Sequence, residues 1–297
     1  MSEHFDAHVH TYLSDGIFSP EQICEKAIRD GLSVLVITDH NTCMSEDEIS
    51  EMCRKYPQLE LPLGCEISCK YQTVEGRWVQ LHLGAINFTL TDEIKRILAH
   101  NNKSVPLYVG TILERLESEC GISLCSFEEL KDMITANQPG RKHIANLLVE
   151  RGYCSNNEEA FQKYIGDNAP AYFENIPYFV TMEEVIKAVV YAGGIVSLCH
   201  LFKYELSDAE TEALLSTFSQ LAEDLGALEV YYFRYNENQR KLLAEYARHF
   251  DLLPSAASDY HGDGESKGLM RCPKALYEKM REHMDRHAAE KQARTDN

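Results

Sequence analysis

The sequence contains no run of about 18 apolar residues, the length that a helix needs to cross a bilayer, so no membrane span is expected. Its first ten residues, MSEHFDAHVH, lack the basic segment followed by an apolar one that marks a secretory signal, and we expect no export. The ten cysteines are scattered through a long chain. A disulfide framework belongs to short secreted chains, so we expect reduced, mainly structural thiols and a cytoplasmic location.

Positive charge is scarce. The chain has 29 Lys and Arg residues against 47 Asp and Glu residues, a formal net charge of −18. Such a charge repels the phosphate backbone of nucleic acids, and no basic patch in the sequence offsets it. We therefore expect no binding to long nucleic acid, although a short oligonucleotide is compatible with this charge.

The chain has 297 residues, 44% of them hydrophobic, and can bury a large core. Apolar segments such as HFDAHVHT and SVLVITDHN alternate with amphipathic segments, which predicts alternating strands and helices. The segment SPEQICEKAIRDGL predicts a helix because Ser19 can cap it, Pro20 suits its first turn and Gly31 can end it. Nearly continuous apolar strands favour a parallel sheet covered on both faces, and thus an α/β fold.

Polar side chains follow or end several predicted strands. Asp39 and His40 follow the second strand, and the strand in LELPLGCEIS is predicted to end near Glu66. Later predicted strands end at His200 and just before Asp259. The carboxyl ends of parallel strands meet at one edge of a sheet, where α/β proteins place their chemistry. We therefore expect a functional site at this edge.

Residues 92–175 interrupt the alternation of strands and helices. Their segments have helical periodicity with no good strand between them, which predicts a helical insertion. The alternation returns with MEEVIKAVVYAGGIVSLCH, and the last segment predicts an amphipathic helix that frays into a polar tail. The expected division is a main domain of residues 1–91 and 176–275, an insertion over 92–175, and a C-terminal helix and tail over 276–297.

The stretch HFDAHVHTYLSDG places Asp6, His8 and His10 on one face of the first strand, because strand side chains alternate. Two imidazoles at this spacing can reach the same metal ion. The alternative is a pair of hydrogen-bonded core histidines. A buried carboxylate beside them would be costly without a donor or a cation, which favours the metal site.

Histidines and acidic residues recur on or after the other predicted strands. They are His40, Glu66, His82, His200, Asp259 and His261. Mixed imidazole and carboxylate ligands suit Mn²⁺, Fe²⁺ or Zn²⁺. One ion would leave most of these ligands uncoordinated and mutually repelling, so two or three divalent ions are expected. A structural site is the alternative, but such sites usually have four ligands, often cysteines, so a catalytic cluster is favoured.

The motifs DAHVHTYLSDG, VITDHN, GCEIS, LHLGAIN, VSLCH and ASDYHG occur in this order over residues 6–262. As a set they resemble the successive motifs of the PHP (polymerase and histidinol phosphatase) superfamily. The resemblance implies a metal-dependent phosphoesterase with a distorted seven-stranded β/α barrel. The helical insertion would then cap the active site of the barrel.

Within the insertion, GRKHIANLLVERGYCSNNEEAFQKYIGDNAPAYF resembles a subfamily that acts on nucleoside 3′,5′-bisphosphates, small cyclic phosphates or RNA 5′ ends. The resemblance implies that Arg141 and His143 face the substrate phosphate. The chain departs from the pattern at Lys142 and at Leu201, where proline is usual. Neither change removes a ligand, but both could alter the local backbone and the choice of substrate.

Carried over by position, the resemblance implies three metal sites. The implied ligands are His8, His10, Glu66 and Asp259 for the first ion, Glu66, His82 and His200 for the second, and Asp15, His40 and His261 for the third. Asp6 and Asp39 would orient imidazoles from behind the ligands.

The expected reaction is attack of a metal-bridging hydroxide on phosphorus, with the ions and Arg141 neutralising the phosphoryl oxygens. Either His143 or His40 would protonate the leaving alkoxide, and the sequence does not choose between them. Lys203 and Arg234 follow predicted strand ends. They either bind a second phosphate or form a solvated rim.

The favoured substrate is a small phosphorylated metabolite, above all a nucleoside 3′,5′-bisphosphate. The alternatives are a cyclic phosphate of a sugar or nucleotide, and the 5′ end of a short RNA cut by a 5′–3′ exonuclease. Histidinol phosphate and C–N bonds are further alternatives within the hydrolases. A non-catalytic binding module with a degenerate site is disfavoured, because every expected ligand type is present.

Overall fold

The computed structural model describes residues 3–136, 138–262, 264, 266 and 268–295. The strands are β1 (His4–Val9), β2 (Leu32–Ile37), β3 (Gly64–Gln72), β4 (Trp78–Ile86), β5 (Ile195–Leu198), β6 (Gly226–Tyr232), β7 (Leu253–Ala257) and β8 (Cys272–Pro273). The α-helices are α1 (Pro20–Arg29), α2 (Glu46–Lys55), α3 (Asp92–Lys103), α4 (Val105–Cys120), α5 (Phe127–Met133), α6 (Arg141–Glu150), α7 (Asn157–Ala160), α8 (Met182–Tyr191), α9 (Asp208–Ala222), α10 (Glu237–His249) and α11 (Ala275–Thr295).

Helix α1 begins and ends where the local sequence predicts. The Ser19 hydroxyl accepts a hydrogen bond from the backbone N–H of Gln22, and the Gln22 side chain accepts one from the backbone N–H of Ser19. This reciprocal capping box satisfies two backbone donors that have no partner within the helix. Gly31 then takes a left-handed conformation with φ of +79°, which few residues other than glycine adopt easily. The predicted boundaries of this helix are confirmed.

The strands form two hydrogen-bonded sheets, ordered β2-β1-β8 and β3-β4-β5-β6-β7. Strands β1 and β2 are parallel, and so are β5, β6 and β7. Strand β4 is antiparallel to both β3 and β5, so the prediction of a wholly parallel sheet is wrong. The reason is the short connection 73–77 between β3 and β4, since parallel strands need a long crossover.

Isolated parallel bridges join the two sheets. Val9 pairs with Tyr260 after β7, and His40 after β2 pairs with Glu66. The described ladders therefore form two bridged sheets, whereas the family resemblance implied one seven-stranded barrel. Glu66 is the third residue of β3, which continues to Gln72, so the prediction that this strand ends near Glu66 is wrong. Strand β3 is longer than its apolar segment because its residues up to Gln72 pair with β4 in a hairpin.

The regular elements in the described part of residues 92–175 are helices, and that part contains no strand. Helix α3 packs Ile94 and Ile97 into the same hydrophobic cluster as β3 and β4. A second hydrophobic cluster extends from Val105 to Ala171. We call residues 105–175 the cap helices. They have their own core and connect to the sheets through α3 and the segment before α8.

Helix α11 packs its first turns against the end of the sheet β2-β1-β8. Tyr277 and Met280 are buried there, and the ring centroids of Tyr277 and Phe5 lie 6.1 Å apart. The end of the predicted polar tail, residues 296–297, lies outside the described residues. None of the helices in the described part of the chain is long and apolar enough to cross a membrane.

Candidate metal centre and substrate cavity

The structure brings together the nine residues that the sequence analysis proposed as metal ligands. They come from β1 and the loop after it, the loop after β2, strands β3 and β4, and the segments after β5 and β7. The residues are His8, His10, Asp15, His40, Glu66, His82, His200, Asp259 and His261. The alternating side chains of β1 place His8 and His10 on one face, as predicted, with 2.9 Å between their Nε2 atoms.

Glu66 lies at the centre of this cluster and is fully buried. Its Oε1 atom lies 2.9 Å from Nδ1 of His82 and 3.0 Å from Nε2 of His200. Its Oε2 atom lies within 3.3 Å of the rings of three further histidines, which are His8, His10 and His40. The two carboxylate oxygens thus face different groups of imidazoles, as a ligand shared by two ions would.

Two aspartates complete the cluster. Oδ1 of Asp259 lies 3.3 Å from Nε2 of His10, and Oδ1 of Asp15 lies 3.2 Å from Nε2 of His261. Ligand atoms of Asp15, His40 and His261 lie within 4.8 Å of one another, together with His10. This group contains the ligand set that the sequence analysis implied for a third ion.

The cluster fits divalent cations on its own chemistry. Nδ1 of His10 and Nδ1 of His200 are buried, and neither of them has a hydrogen-bond partner among the described residues. Buried polar atoms are normally paired, so these atoms call for a further partner. Burial alone would raise the pKa of Glu66, but the nearby charges of His40 and His8 hold it well below its usual range. An ionised carboxylate among imidazoles is a donor set that suits Mn²⁺, Fe²⁺ or Zn²⁺.

Glu229 is a site residue that the sequence analysis missed. It lies on β6, is almost fully buried, and its Oε1 atom lies 2.6 Å from Nδ1 of His8. Its Oε2 atom accepts a hydrogen bond of 2.6 Å from the backbone N–H of His200, whose φ is +31°. The carboxylate therefore orients one imidazole and holds the backbone of another predicted ligand. The available signal was a lone acidic residue inside the apolar strand ALEVYYF.

Asp6 and Asp39 do not orient imidazoles as implied by the family pattern, because neither makes a hydrogen bond to a histidine ring of the described chain. Asp6 accepts hydrogen bonds from the backbone N–H groups of Ser258 and Met270, at 3.1 and 2.8 Å. Burial nevertheless raises its pKa to about 6. Asp39 accepts from the backbone and hydroxyl of Thr11. Both carboxylates instead fix the loops that carry ligands.

A cavity of about 350 Å³ lies between the ligand cluster and the cap helices. Three successive residues at the start of α6 line it, namely Arg141, Lys142 and His143. The Arg141 guanidinium lies 5.8 Å above the ring of Phe161, and its Nη1 atom is 3.4 Å from Oδ1 of Asp167. Arg141 is thus held at the cavity by contacts within the cap helices.

His143 has a defined tautomer. Its Nδ1 atom accepts a hydrogen bond of 3.0 Å from the backbone N–H of Gly140, so the neutral ring carries its proton on Nε2. Burial lowers the pKa of His143, and the charge of Lys142 lowers it further against the opposing effect of Asp15. The neutral ring is therefore a hydrogen-bond donor through Nε2.

The two remaining predicted substrate residues differ in position. Lys203 lines the cavity, and its Nζ atom lies 2.9 Å from Oδ2 of Asp259. Arg234 is exposed and lies over the ring of Phe233, with 5.1 Å between its Cζ atom and the ring centroid. It is absent from the described residues that line the cavity. The structure therefore places Arg141, His143 and Lys203 on the cavity wall, and Arg234 is not among the described residues that line it.

Comparison with known proteins identifies the family of this chain and several relatives. The model of the PHP domain family matches residues 6–294. A 5′-3′ exoribonuclease from Haemophilus influenzae is 29% identical over 265 residues, which cover 88% of this chain and 91% of that protein. A 3′,5′-nucleoside bisphosphate phosphatase from Chromobacterium violaceum is 25% identical over 262 residues, or 88% of each chain.

A solved structure from Bifidobacterium adolescentis, provisionally called a metal-dependent phosphoesterase, has a TM-score of 0.79 and 27% identity. The match covers 95% of this chain and 97% of that one. The fold and the clustered ligands define a metal-dependent phosphoesterase, a hydrolase of phosphate esters. The chain belongs to the PHP domain family.

Proposed function

We propose that the protein hydrolyses the 3′-phosphate ester of a 5′-phosphorylated nucleotide, with a nucleoside 3′,5′-bisphosphate as the substrate. The observation that carries this proposal is the set of three cations, Arg141, Lys142 and Lys203, in one cavity beside the ligand cluster. They are concentrated there although the chain has a net charge of −18. A substrate with two phosphates would match them, because it presents more than one anionic group to the same cavity.

We further propose that two or three divalent ions bind to the nine clustered residues, with Glu66 shared between two of them. Bound there, the ions would supply a water of lowered pKa as the nucleophile and neutralise phosphoryl oxygens. His8, with Glu229 at its Nδ1 atom, would present its Nε2 atom to the ions. The cap helices would close the cavity over the substrate.

In this proposal Arg141 and His143 act on the phosphate that reacts. Arg141 neutralises a phosphoryl oxygen, and Nε2–H of His143 donates a hydrogen bond to a phosphoryl or leaving oxygen. His143 suits charge stabilisation, since delivery of a proton from the neutral ring would leave an imidazolate. His40 lies 2.9 Å from Glu66 and 3.9 Å from Asp15, so we assign it to the ions rather than to the leaving group. Lys203 is proposed to bind the second phosphate.

A second candidate substrate is the 5′-terminal nucleotide of a short RNA, which the name of the Haemophilus influenzae relative favours. Hydrolysis of a bisphosphate and removal of a 5′-terminal nucleotide break the same bond, between phosphorus and the 3′ oxygen of a 5′-phosphorylated nucleoside. In both cases water supplies the new P–O bond and the 3′ oxygen leaves as a hydroxyl. One arrangement of Arg141, His143 and Lys203 would therefore serve both.

The test is a hydrolysis screen with Mn²⁺. Its substrates are adenosine 3′,5′-bisphosphate, 5′-phosphorylated and 5′-hydroxyl RNA trimers, a cyclic nucleotide and histidinol phosphate. We expect the bisphosphate to be cleaved to adenosine 5′-monophosphate. The 5′-phosphorylated trimer should be cleaved faster than the 5′-hydroxyl trimer. Asp259→Ala serves as the inactive control. Exclusive cleavage of the cyclic nucleotide or of histidinol phosphate would reject the proposal.

A further inference from the structure

Asn175 is a buried polar residue that the proposed reaction leaves unused. Its side chain lies at the end of the cap helices, is only 7% exposed and lines the cavity. Its carboxamide has no hydrogen-bond partner among the residues that the structure describes. Because Asn175 lines the cavity, its carboxamide is placed to hydrogen-bond with a ligand bound there. The carboxamide offers both a donor and an acceptor to that ligand.

Aromatic side chains line the same cavity. Tyr108 comes from α4, Phe161 from the π-helical turn that follows α7, and Phe179 from the segment before α8. The Arg141 guanidinium lies over the ring of Phe161, so this aromatic side chain is next to the proposed phosphate contact. Flat apolar surfaces beside one free amide would suit a ligand with a flat face and a polar edge.

We propose that Asn175, with the rings of Tyr108 and Phe161, forms a nucleobase subsite in the cavity. The base stacks on an aromatic ring, and its polar edge pairs with the Asn175 carboxamide. This inference rests on the proposed function, because it places the base of the same nucleotide whose phosphates meet Arg141 and Lys203. A single carboxamide can rotate to match different base edges, so the subsite selects for the presence of a base more than for its identity.

Equilibrium binding tests the subsite without turnover. Calorimetry on the Mn²⁺-loaded protein compares adenosine 5′-monophosphate with ribose 5-phosphate, which differ by the base. The wild type should bind the nucleotide at least about tenfold more tightly, the size of one stacked base. Tyr108→Leu and Asn175→Ala should each reduce this preference several-fold and leave ribose 5-phosphate affinity nearly unchanged.

Phe173→Leu is the matched control, because Phe173 packs in the cap helices and is not among the described residues that line the cavity. It should keep the full preference for the nucleotide. Asn175→Ala removes no hydrogen bond within the described chain, so its melting temperature should stay close to that of the wild type. Equal affinity of the wild type for the two ligands would overturn the inference, as would equal losses for both ligands in the variants.

Hydrolysis separates this inference from the proposed function. The comparison uses adenosine 3′,5′-bisphosphate and its base-free analogue, 1,4-anhydroribitol 3,5-bisphosphate. Equal kcat/KM for the two would overturn the subsite while the proposed reaction stands. If neither is hydrolysed but the binding preference for the nucleotide persists, the proposed reaction fails and the subsite is supported.

Discussion

Replacement of Glu229 by glutamine is the sharpest perturbation of the ligand cluster that leaves every predicted ligand in place. In the native protein both carboxylate oxygens accept, one from Nδ1–H of His8 and one from the backbone N–H of His200. Glutamine has only one oxygen. Because the backbone N–H can only donate, that oxygen should stay with His200, and the amide NH₂ then faces Nδ1 of His8.

The consequence is a change of tautomer at His8. Nδ1 would have to accept from the amide, so the ring proton would move to Nε2. Nε2 lies 2.9 Å from Nε2 of His10 and 3.2 Å from Glu66, and it is the atom that faces the cluster. A protonated Nε2 cannot bind a metal. Glu229→Gln should therefore lower metal affinity by about 10- to 100-fold, or about 1.4–2.8 kcal/mol.

The assay is competition of the protein with a chelating dye for Mn²⁺, together with melting curves in the presence and absence of metal. Without metal, Glu229→Gln should lose about 1–3 kcal/mol of unfolding free energy, because a buried charge-assisted hydrogen bond is lost. Glu210→Gln is the matched control. Glu210 is also buried, but it accepts from Ser207 and Arg77 at the start of α9. Its variant should lose stability and keep metal affinity.

A Glu229→Gln variant that binds Mn²⁺ as tightly as the wild type, and differs only in its melting temperature, would refute the proposed control of the His8 tautomer. Glu229 would then be a structural residue that braces β6 against the segment after β5.

The remaining predictions address the cluster, the cavity, the metals and the cap helices. His10→Ala and Asp259→Ala should each abolish phosphate release without unfolding the protein, and turnover in both variants would remove the cluster from catalysis. Arg141→Ala should weaken kcat/KM by about 2–3 kcal/mol, the loss of a charge-assisted contact, whereas Arg115→Ala, also in the cap helices, should not. Purified protein should hold more than one equivalent of transition metal, and chelation should lower its melting temperature; a strictly mononuclear active enzyme would contradict the shared Glu66 ligand. Leu148→Ala leaves a void in the second hydrophobic cluster and should cost about 2–5 kcal/mol, with faster hydrogen exchange in residues 105–171 than in β3.

The sequence by itself determined the features that depend on neighbours along the chain. Strand alternation places His8 and His10 on one face, and the residues around Ser19 set the start of α1. The helical periodicity of residues 92–175 predicted an all-helical segment. The set of nine clustered residues could be named because the motifs that carry them occur in a specific order, and the structure brings all nine together.

Only the tertiary structure decided the features that join residues distant in sequence. Glu229 is 221 residues from His8, and the local sequence around either residue does not predict their contact. Strand β4 also pairs with β5, more than a hundred residues later, and the short connection between β3 and β4 does not specify that second partner. The position of Asn175 on the cavity wall likewise depends on the packing of the cap helices over the ligand cluster. A sequence pattern carries local geometry, whereas partners, tautomers and cavities arise from burial and packing between separate elements.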